Sequence, residues 1–127
     1  MKVLVTGANG FLGAHVVSAL LVRGHQIRAM IRPTAKSDDL SERGGTDIVR
    51  ADLRSARELE QFFEGVDVLV HLAAAVSGGE DAQFASTVVG TERLLGAMAR
   101  TTCRRIVLAS SFSVYDWSNT RGTLDES

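Results

Sequence analysis

The stretch Thr6-Gly7-Ala8-Asn9-Gly10-Phe11-Leu12-Gly13 lies between an apolar run and a segment of helical periodicity, and it decides the fold. Gly7 permits a tight turn out of a strand, Gly10 lets a pyrophosphate approach the backbone, and Gly13 allows close helix packing. The N-terminus of the following helix offers unpaired N–H groups and a partial positive charge to phosphates. Glycines so placed between a first strand and a first helix predict a dinucleotide-binding loop.

Apolar runs and helix-period segments alternate along the rest of the chain. The apolar runs predict strands at residues 2–6, 26–31, 47–50, 66–73 and 105–110. Apolar spacings of three and four predict helices at residues 10–23, 56–64 and about 81–100. The core-facing residues expected on the second and third helices are Leu59, Phe62, Phe63, Val88, Leu94, Leu95 and Met98. Residues 34–46 and 115–127 are polar and are predicted to be irregular.

Strands that alternate with helices in this way form a parallel sheet with right-handed crossovers and helices on both faces. The sequence therefore predicts an α/β fold: a doubly wound, Rossmann-like parallel sheet with strand order 3-2-1-4-5 in three α/β/α layers. Residues 1–127 are expected to form one domain. A sheet ending at the fifth strand would be incomplete at its C-terminal end, so self-association into a homo-oligomer or marginal stability is expected.

Composition excludes several classes of protein. Of the 127 residues, 45% are hydrophobic and 23% are charged, which is typical of a soluble globular protein. A formal net charge of −1 gives no reason to expect a nucleic acid or an anionic membrane as partner. The single cysteine, Cys103, rules out an internal disulfide and favours the cytoplasm, and no cluster around it predicts a metal site.

Four motifs resemble those of the extended short-chain dehydrogenase/reductases, the NAD(P)-dependent epimerase/dehydratase family. They are the G-x-x-G-x-x-G loop at 7–13, the D-L segment at 52–53, H-x-A-A at 71–74, and S-S-x-x-V-Y at 110–115. The resemblance implies that Asp52 accepts a hydrogen bond from the adenine amino group and that residues 72–75 pass close to the cofactor. It also implies that Ser111 matches the catalytic serine or threonine. His71 is interpreted as a strand residue satisfied by a neighbour rather than as a catalyst.

The end of the second strand indicates which dinucleotide is bound. An acidic residue there would hold the ribose hydroxyls of NAD, but this chain has Ile31-Arg32-Pro33 and no acidic residue before Asp38. Arg32 can pair with a 2′-phosphate through its forked donors, and Lys36 adds a second positive charge. The cofactor expected is therefore NADP, with NAD as the alternative.

The candidate cofactor-binding residues are Gly7, Asn9, Gly10, Phe11, Leu12, Gly13, Arg32, Lys36, Asp52, Leu53, Leu72, Ala73, Ala74 and Ala75, and the candidate catalytic residue is Ser111. The Tyr-x-x-x-Lys pair of the family is missing, because the sole tyrosine, Tyr115, is followed four places on by Asn119. Thr87 also stands where the family has an asparagine on the cofactor side of the site.

Three functions are compatible with these departures. The chain is expected to be the truncated front part of an NADP-preferring oxidoreductase acting on a carbonyl or hydroxyl substrate, inactive alone because the proton-donating tyrosine is absent. A nucleotide-sugar epimerase or dehydratase fragment is the alternative within the enzymes. A dinucleotide-binding sensor without catalysis is the alternative outside them. A small-molecule substrate is expected only for a complete enzyme, in which the substrate-binding part is present.

Overall fold

A computed structural model describes residues 1–37, 40, 44–75, 78–111 and 114. The strands are β1 (Lys2–Thr6), β2 (Gln26–Ile31), β3 (Thr46–Arg50), β4 (Val68–His71) and β5 (Arg105–Leu108). The helices are α1 (Phe11–Val22), a 3₁₀ helix (Leu59–Phe63), α2 (Glu80–Phe84), a π-helix (Ala85–Val89) and α3 (Gly90–Ala99). The last three are continuous, so they form one helical segment from residue 80 to residue 99.

The five strands form one parallel sheet with the order β3-β2-β1-β4-β5, which confirms the predicted topology. Strand β1 lies at the centre, where Val3 pairs with Ile27 of β2 on one side and with Val68 of β4 on the other. Because every strand runs the same way, the carboxyl ends of β1, β2 and β4 meet at one edge of the sheet. The loops that follow these strands build the site.

Two hydrophobic clusters cover the two faces of the sheet. This is expected, because parallel strands with continuous apolar runs are buried on both faces. Leu4 of β1 faces the cluster that holds the 3₁₀ helix and α3, whereas Val3 and Val5 face the cluster that holds α1. Successive residues of one strand therefore bury their side chains in opposite layers. Cys103 is 1% exposed in the first cluster and acts as a small apolar core residue.

The helices differ in detail from the periodicity of the sequence. The helix predicted at 56–64 is a 3₁₀ helix of five residues, preceded by Glu58 in the left-handed conformation at φ 55°. The helix predicted at 81–100 contains a π-helix in its first half. The wider π turn changes which side chains face the sheet, so Val88 is 49% exposed rather than buried. Leu95 is also wrong as a core residue, because its neighbour Leu94 fills the core position.

The β5 edge of the sheet carries an exposed apolar surface. All four residues of this strand are exposed, with Ile106, Val107 and Leu108 among the large apolar side chains that face solvent. Strand β5 was predicted to extend to residue 110 and β4 from 66 to 73, and both are shorter by two or more residues. In the part of the chain that the structure describes, no helix combines the length and apolarity needed to cross a bilayer.

Candidate functional site

A cleft of about 290 Å³ opens at the carboxyl edge of the sheet. It is bordered by the ends of β1, β2 and β4, by the residues after β3, and by the π-helix. The residues that line it are Thr6, Gly7, Asn9, Gly10, Met30, Ile31, Arg32, Ala51, Asp52, Leu53, Arg54, Leu72, Ala73, Ala74, Ala75 and Ser86. Loops from four strands thus converge on one elongated site, as is usual for ligands of open parallel sheets.

The floor of the cleft is the glycine loop between β1 and α1. Gly7 has φ +67°, and a Cβ atom there would lie 3.0 Å from the amide nitrogen of Ala73. A Cβ atom on Gly13 would lie only 2.1 Å from the carbonyl oxygen of Gly7 and 2.8 Å from Cα of Ala8. Gly13 is therefore required because the helix packs against the backbone of its own loop. The two glycines allow the glycine loop, the start of α1 and the backbone after β4 to pack together at the bottom of the cleft.

The first turn of α1 follows this loop directly and carries backbone donors without helical partners. The N–H of Gly10 is used by the carbonyl of Gly7 at 3.0 Å, and the carbonyl of Gly10 accepts the N–H of Ala14 at 2.9 Å. Residues 11–13 lie between them at the start of the helix, where N–H groups have no partner one turn back. A glycine-rich loop that leads into a helix N-terminus fits a pyrophosphate.

A cluster of charges lies at the β2–β3 end of the cleft. Arg54 donates to both carboxylate oxygens of Asp52, with Nη2 2.6 Å from Oδ2 and Nε 3.0 Å from Oδ1. This hydrogen bond lowers the pKa of the Asp52 carboxyl, and the nearby charge of Arg32 acts in the same direction. Among the described lining residues, Asp52 is the only carboxylate, so two guanidinium groups face one negative charge.

Asp52 also shapes the backbone of its own segment. Its Oδ1 accepts the N–H of Arg54 at 3.0 Å, and its carbonyl accepts the N–H groups of Ser55 and Ala56. The carboxylate therefore forms a turn in addition to lining the cleft.

A buried polar chain supports the cleft from behind. Thr6 Oγ1 accepts the N–H groups of Leu72 and Ala73 at 3.2 and 3.3 Å and donates its own proton to His71 Nδ1, 2.6 Å away. Since Nδ1 accepts, Nε2 carries the proton and donates to Thr91 Oγ1 at 2.8 Å. Burial lowers the pKa of His71, which favours this neutral form. His71 is thus held by neighbours on both sides.

The wall formed by residues 72–75 is joined to the π-helix. Thr87 Oγ1 accepts the N–H of Ala75 at 3.1 Å, and the hydroxyl of Thr91 donates to the carbonyl of Thr87. The threonine that replaces the family's asparagine therefore holds the wall of the cleft. The same π-helix places Ser86 on the lining. π-Helical turns occur frequently at functional sites.

Ten of the fifteen predicted site residues lie together on this lining. The five outside it are Phe11, Leu12, Gly13, Lys36 and Ser111. Phe11 and Leu12 are 88% and 53% exposed at the start of α1, and Gly13 is buried beneath the loop. Lys36 is exposed in the loop after β2, and Ser111 is exposed after β5. Tyr115 and Asn119 lie outside the described residues.

Several lining residues were missed by the sequence predictions. Thr6 is a buried polar residue at the end of an apolar strand. That position is a signal for a site residue, but Thr6 belongs to none of the four motifs. Arg54 directly follows the D-L segment at 52–53, but nothing in that motif assigns it a role. Ser86 could not be placed, because a π-helix leaves no periodicity that identifies it in advance.

The fold and this edge define a Rossmann-type dinucleotide-binding domain. Residues 3–127 match the NAD dependent epimerase/dehydratase family, and the chain belongs to that family.

Three relatives illustrate the range of the family. The chain is 44% identical over 117 residues to sterol demethylase protein B of Methylococcus capsulatus, covering 88% of this chain and 35% of that protein. It is 36% identical over 133 residues to cinnamoyl-CoA reductase 1 of Oryza sativa subsp. japonica, covering 98% and 39%. The structure of UDP-glucuronic acid 4-epimerase from Bacillus cereus in complex with NAD superposes with a TM-score of 0.77 at 30% identity, covering 91% and 41%. The chain spans about two fifths or less of each relative.

Proposed function

We propose that this chain is the NADP-preferring cofactor-binding part of an oxidoreductase that acts on a carbonyl or hydroxyl substrate. The observation that carries the proposal is the position of Arg32 on the cleft lining, at the end of β2. In folds of this type that position lies beside the adenosine ribose, and an arginine there accommodates a 2′-phosphate. The nicotinamide of a bound cofactor would supply the hydride.

Charge balance favours the phosphorylated dinucleotide. The carboxylate of Asp52 is paired with Arg54 and also lies near Arg32, so the two guanidinium groups exceed the one carboxylate and leave this end of the cleft positive. The side chain of Asp52 is 22% exposed, and that of Arg54 is 50% exposed. A phosphate monoester carries a charge between about −1.5 and −2 at neutral pH and matches the fork of a guanidinium. NAD offers only hydroxyls at this place, and no described lining residue supplies a carboxylate other than Asp52.

The glycine loop supports binding of either dinucleotide, whereas Arg32 supports the choice between them. The similar epimerase from Bacillus cereus was solved in complex with NAD, so the likeness of the fold does not itself favour NADP. We therefore assign the NADP preference of this chain only to the β2–β3 end of the cleft, where Arg32 lies.

Calorimetric titration of the 127-residue chain with NADP and with NAD tests the proposal. We expect tighter binding of NADP, and we expect Arg32→Ala to weaken NADP about tenfold to hundredfold, as for a lost charged hydrogen bond. Binding of NAD should change little in that variant. Equal or tighter binding of NAD by the unmodified chain would overturn the NADP preference.

Arg105→Ala is the matched control for the loss of one positive charge. Arg105 begins β5 and is exposed, and it lies at the amino edge of the sheet away from the cleft. If removal of net charge alone weakened NADP, this variant would weaken it as well. We expect its NADP affinity to equal that of the unmodified chain.

We further propose that the isolated chain binds cofactor without turnover. The candidate Ser111 is present, but the sequence holds no Tyr-x-x-x-Lys pair to transfer the proton. Incubation with NADPH and a set of ketones and aldehydes should leave the cofactor absorbance unchanged over hours. Steady oxidation that depends on both the chain and the carbonyl compound would overturn this.

Nucleotide-sugar epimerisation is the second candidate, favoured by the likeness to the UDP-glucuronic acid 4-epimerase fold at 30% identity. An epimerase returns its hydride to the same substrate and so draws on no external pool of reduced cofactor. A preference for NAD in the titration would therefore favour the epimerase class over the reductase class.

A further inference from the structure

The loop that carries Arg32 and Lys36 begins with a tight turn. The carbonyl of Arg32 accepts the N–H of Ala35 at 3.0 Å, which closes a β-turn with Pro33 at its second position. Further along, Leu40 is 2% exposed in the cluster beneath α1, and its N–H donates to the carbonyl of Ser37 at 3.0 Å. The turn itself is exposed from residue 32 to residue 34.

One guanidinium lies beneath this turn and contacts it at several points. Arg50 Nη1 donates to the carbonyl oxygens of Ala35 at 2.8 Å and Pro33 at 3.0 Å, and it lies 3.5 Å from that of Arg32. Arg50 Nη2 donates to Ser37 Oγ at 2.9 Å. The carbonyls of the turn are thus gathered around a single cation.

The sheet places Arg50 for this contact. Arg50 ends β3 directly beside Ile31, the last residue of β2, and the N–H of Ala51 continues the ladder to the carbonyl of Ile31 at 3.0 Å. The anchor therefore belongs to regular sheet, whereas the residue it holds belongs to an exposed loop. A guanidinium can serve several acceptors at once because its five N–H groups form a rigid planar fork.

We propose that Arg50 is a specificity-determining positioning residue: by binding the carbonyls of Arg32, Pro33 and Ala35 it fixes the turn so that Arg32 faces the 2′-phosphate of NADP. This inference rests on the proposed NADP preference. Arg50 is not among the cleft-lining residues, so it acts through Arg32 and not by touching the cofactor. Its effect should therefore fall on the discrimination between the two dinucleotides.

Arg50→Lys separates positioning from charge. Lysine keeps the positive charge, but its single ammonium group cannot reach the several acceptors that the fork spans. We expect this variant to lower the ratio of NADP affinity to NAD affinity about three- to tenfold, less than loss of Arg32, whose own phosphate contact disappears. Affinity for NAD should stay within about twofold, as expected for a change that leaves the glycine loop intact.

A double-mutant cycle with Arg32→Ala shows whether the two arginines act together. If Arg50 works through Arg32, Arg50→Lys has no further effect on NADP binding once Arg32 is alanine. Additive losses would mean that Arg50 attracts the phosphate independently, and they would overturn the inference. An unchanged affinity ratio in the single variant would overturn it as well.

Arg28→Lys is the matched control. Arg28 lies on β2, where it donates to the carbonyls of Phe62 and Glu64 and to the carboxylate of Asp47, far from the turn. This variant should lower the thermal stability and leave the affinity ratio unchanged. If Arg50→Lys does not fold, Ser37→Ala removes one contact of the same fork and should lower the ratio about twofold.

The cofactor preference measured for the unmodified chain distinguishes failure of the proposed NADP preference from failure of the proposed role of Arg50. If that chain does not prefer NADP, both the preference and the role of Arg50 fall. If it prefers NADP and Arg32→Ala abolishes the preference while Arg50→Lys keeps it, only the role of Arg50 falls.

Discussion

Two loops of this molecule contact the same cleft but are held by different forces. The glycine loop after β1 is fixed by backbone contacts, since a Cβ on Gly13 would lie 2.1 Å from the carbonyl of Gly7. The loop after β2 is exposed at residues 32–34 and is held largely by polar contacts to the guanidinium of Arg50. The first loop depends on the absence of side chains, and the second depends on the presence of one.

Because of this difference, we expect the two loops to recognise different parts of the cofactor. A backbone cradle at a helix N-terminus binds the part that all dinucleotides share, the pyrophosphate. A charged loop distinguishes dinucleotides by the group on the ribose. Changes in the first loop should therefore affect folding and all binding, whereas changes in the second should affect only the choice of cofactor.

The largest effect is expected at Gly13. Gly13→Ala forces the helix away from the loop, because the contacting atoms are backbone and cannot rotate aside. We expect a loss of about 3 kcal/mol or more in the free energy of unfolding, together with loss of binding of both dinucleotides. Urea denaturation and calorimetry measure the two effects.

Gly96→Ala is the control for this prediction. Gly96 lies within α3, and a Cβ there meets only the end of the Arg100 side chain at 3.9 Å. Alanine should raise the free energy of unfolding by up to about 1 kcal/mol, because it favours helix. If both variants behaved alike, the steric account of the glycine loop would be wrong.

The next effect in size concerns Thr6, beneath the glycine loop. Thr6→Val removes the acceptor of two N–H groups and the donor to His71 Nδ1 in a fully buried position. We expect a loss of about 2–3 kcal/mol in the free energy of unfolding, because the buried His71 and two part-buried N–H groups lose their hydrogen bonds.

Thr46→Val is the isosteric control on the same sheet. Among the described residues, Thr46 Oγ1 is the buried side-chain oxygen that meets no hydrogen-bond partner. Valine should therefore be neutral or stabilising by up to about 1 kcal/mol, since it removes an unsatisfied group. Equal losses for the two variants would show that the network around Thr6 contributes nothing beyond packing.

A smaller effect follows from the pKa of His71. Burial lowers this pKa in the folded protein, so the unfolded chain binds the proton more tightly than the folded chain. The free energy of unfolding should thus fall as the pH drops below about 6.5, by at most about 1.4 kcal/mol per pH unit, until the pH passes below the folded-state pKa.

Comparison with His71→Asn isolates this contribution. The other histidines, His15 and His25, are present in both proteins, so the difference between the two stability curves reports His71. We expect a shallower fall below about pH 6.5 in the variant. Parallel curves would mean that His71 is protonated equally in the folded and unfolded chains.

The packing of the first loop could be predicted from the sequence, whereas for the second loop the sequence predicted Arg32 but not the anchor, Arg50. The glycines act on neighbours a few residues away, so their spacing carries the information. Arg50 acts on a turn whose last contact, Ser37, lies 13 positions earlier, and only the β2–β3 register brings them together. Strand order followed from the alternation of elements, which is also a local signal.

The predictions about the helices were partly wrong for a related reason. A π turn changes which side chains face the sheet, and the α-helical spacing used for the prediction does not include that change, so the core position predicted for Val88 is wrong and Ser86 had no predicted role. The contact of Thr87 with Ala75 joins residues 12 positions apart. Such contacts depend on tertiary packing, which overrides the pattern of a single segment.

The smallest effect expected is the response of cofactor choice to salt. Arg32 is exposed, so its attraction for a 2′-phosphate is screened as ionic strength rises. Between about 0.05 M and about 0.5 M salt, the ratio of NADP to NAD affinity should fall a few-fold. Affinity for NAD should change less, because its pyrophosphate is held by backbone donors at the helix N-terminus. In Arg32→Ala the ratio should no longer respond to salt. A ratio that stayed constant in the unmodified chain would place the discrimination in buried contacts, and the contrast between the two loops would then be wrong.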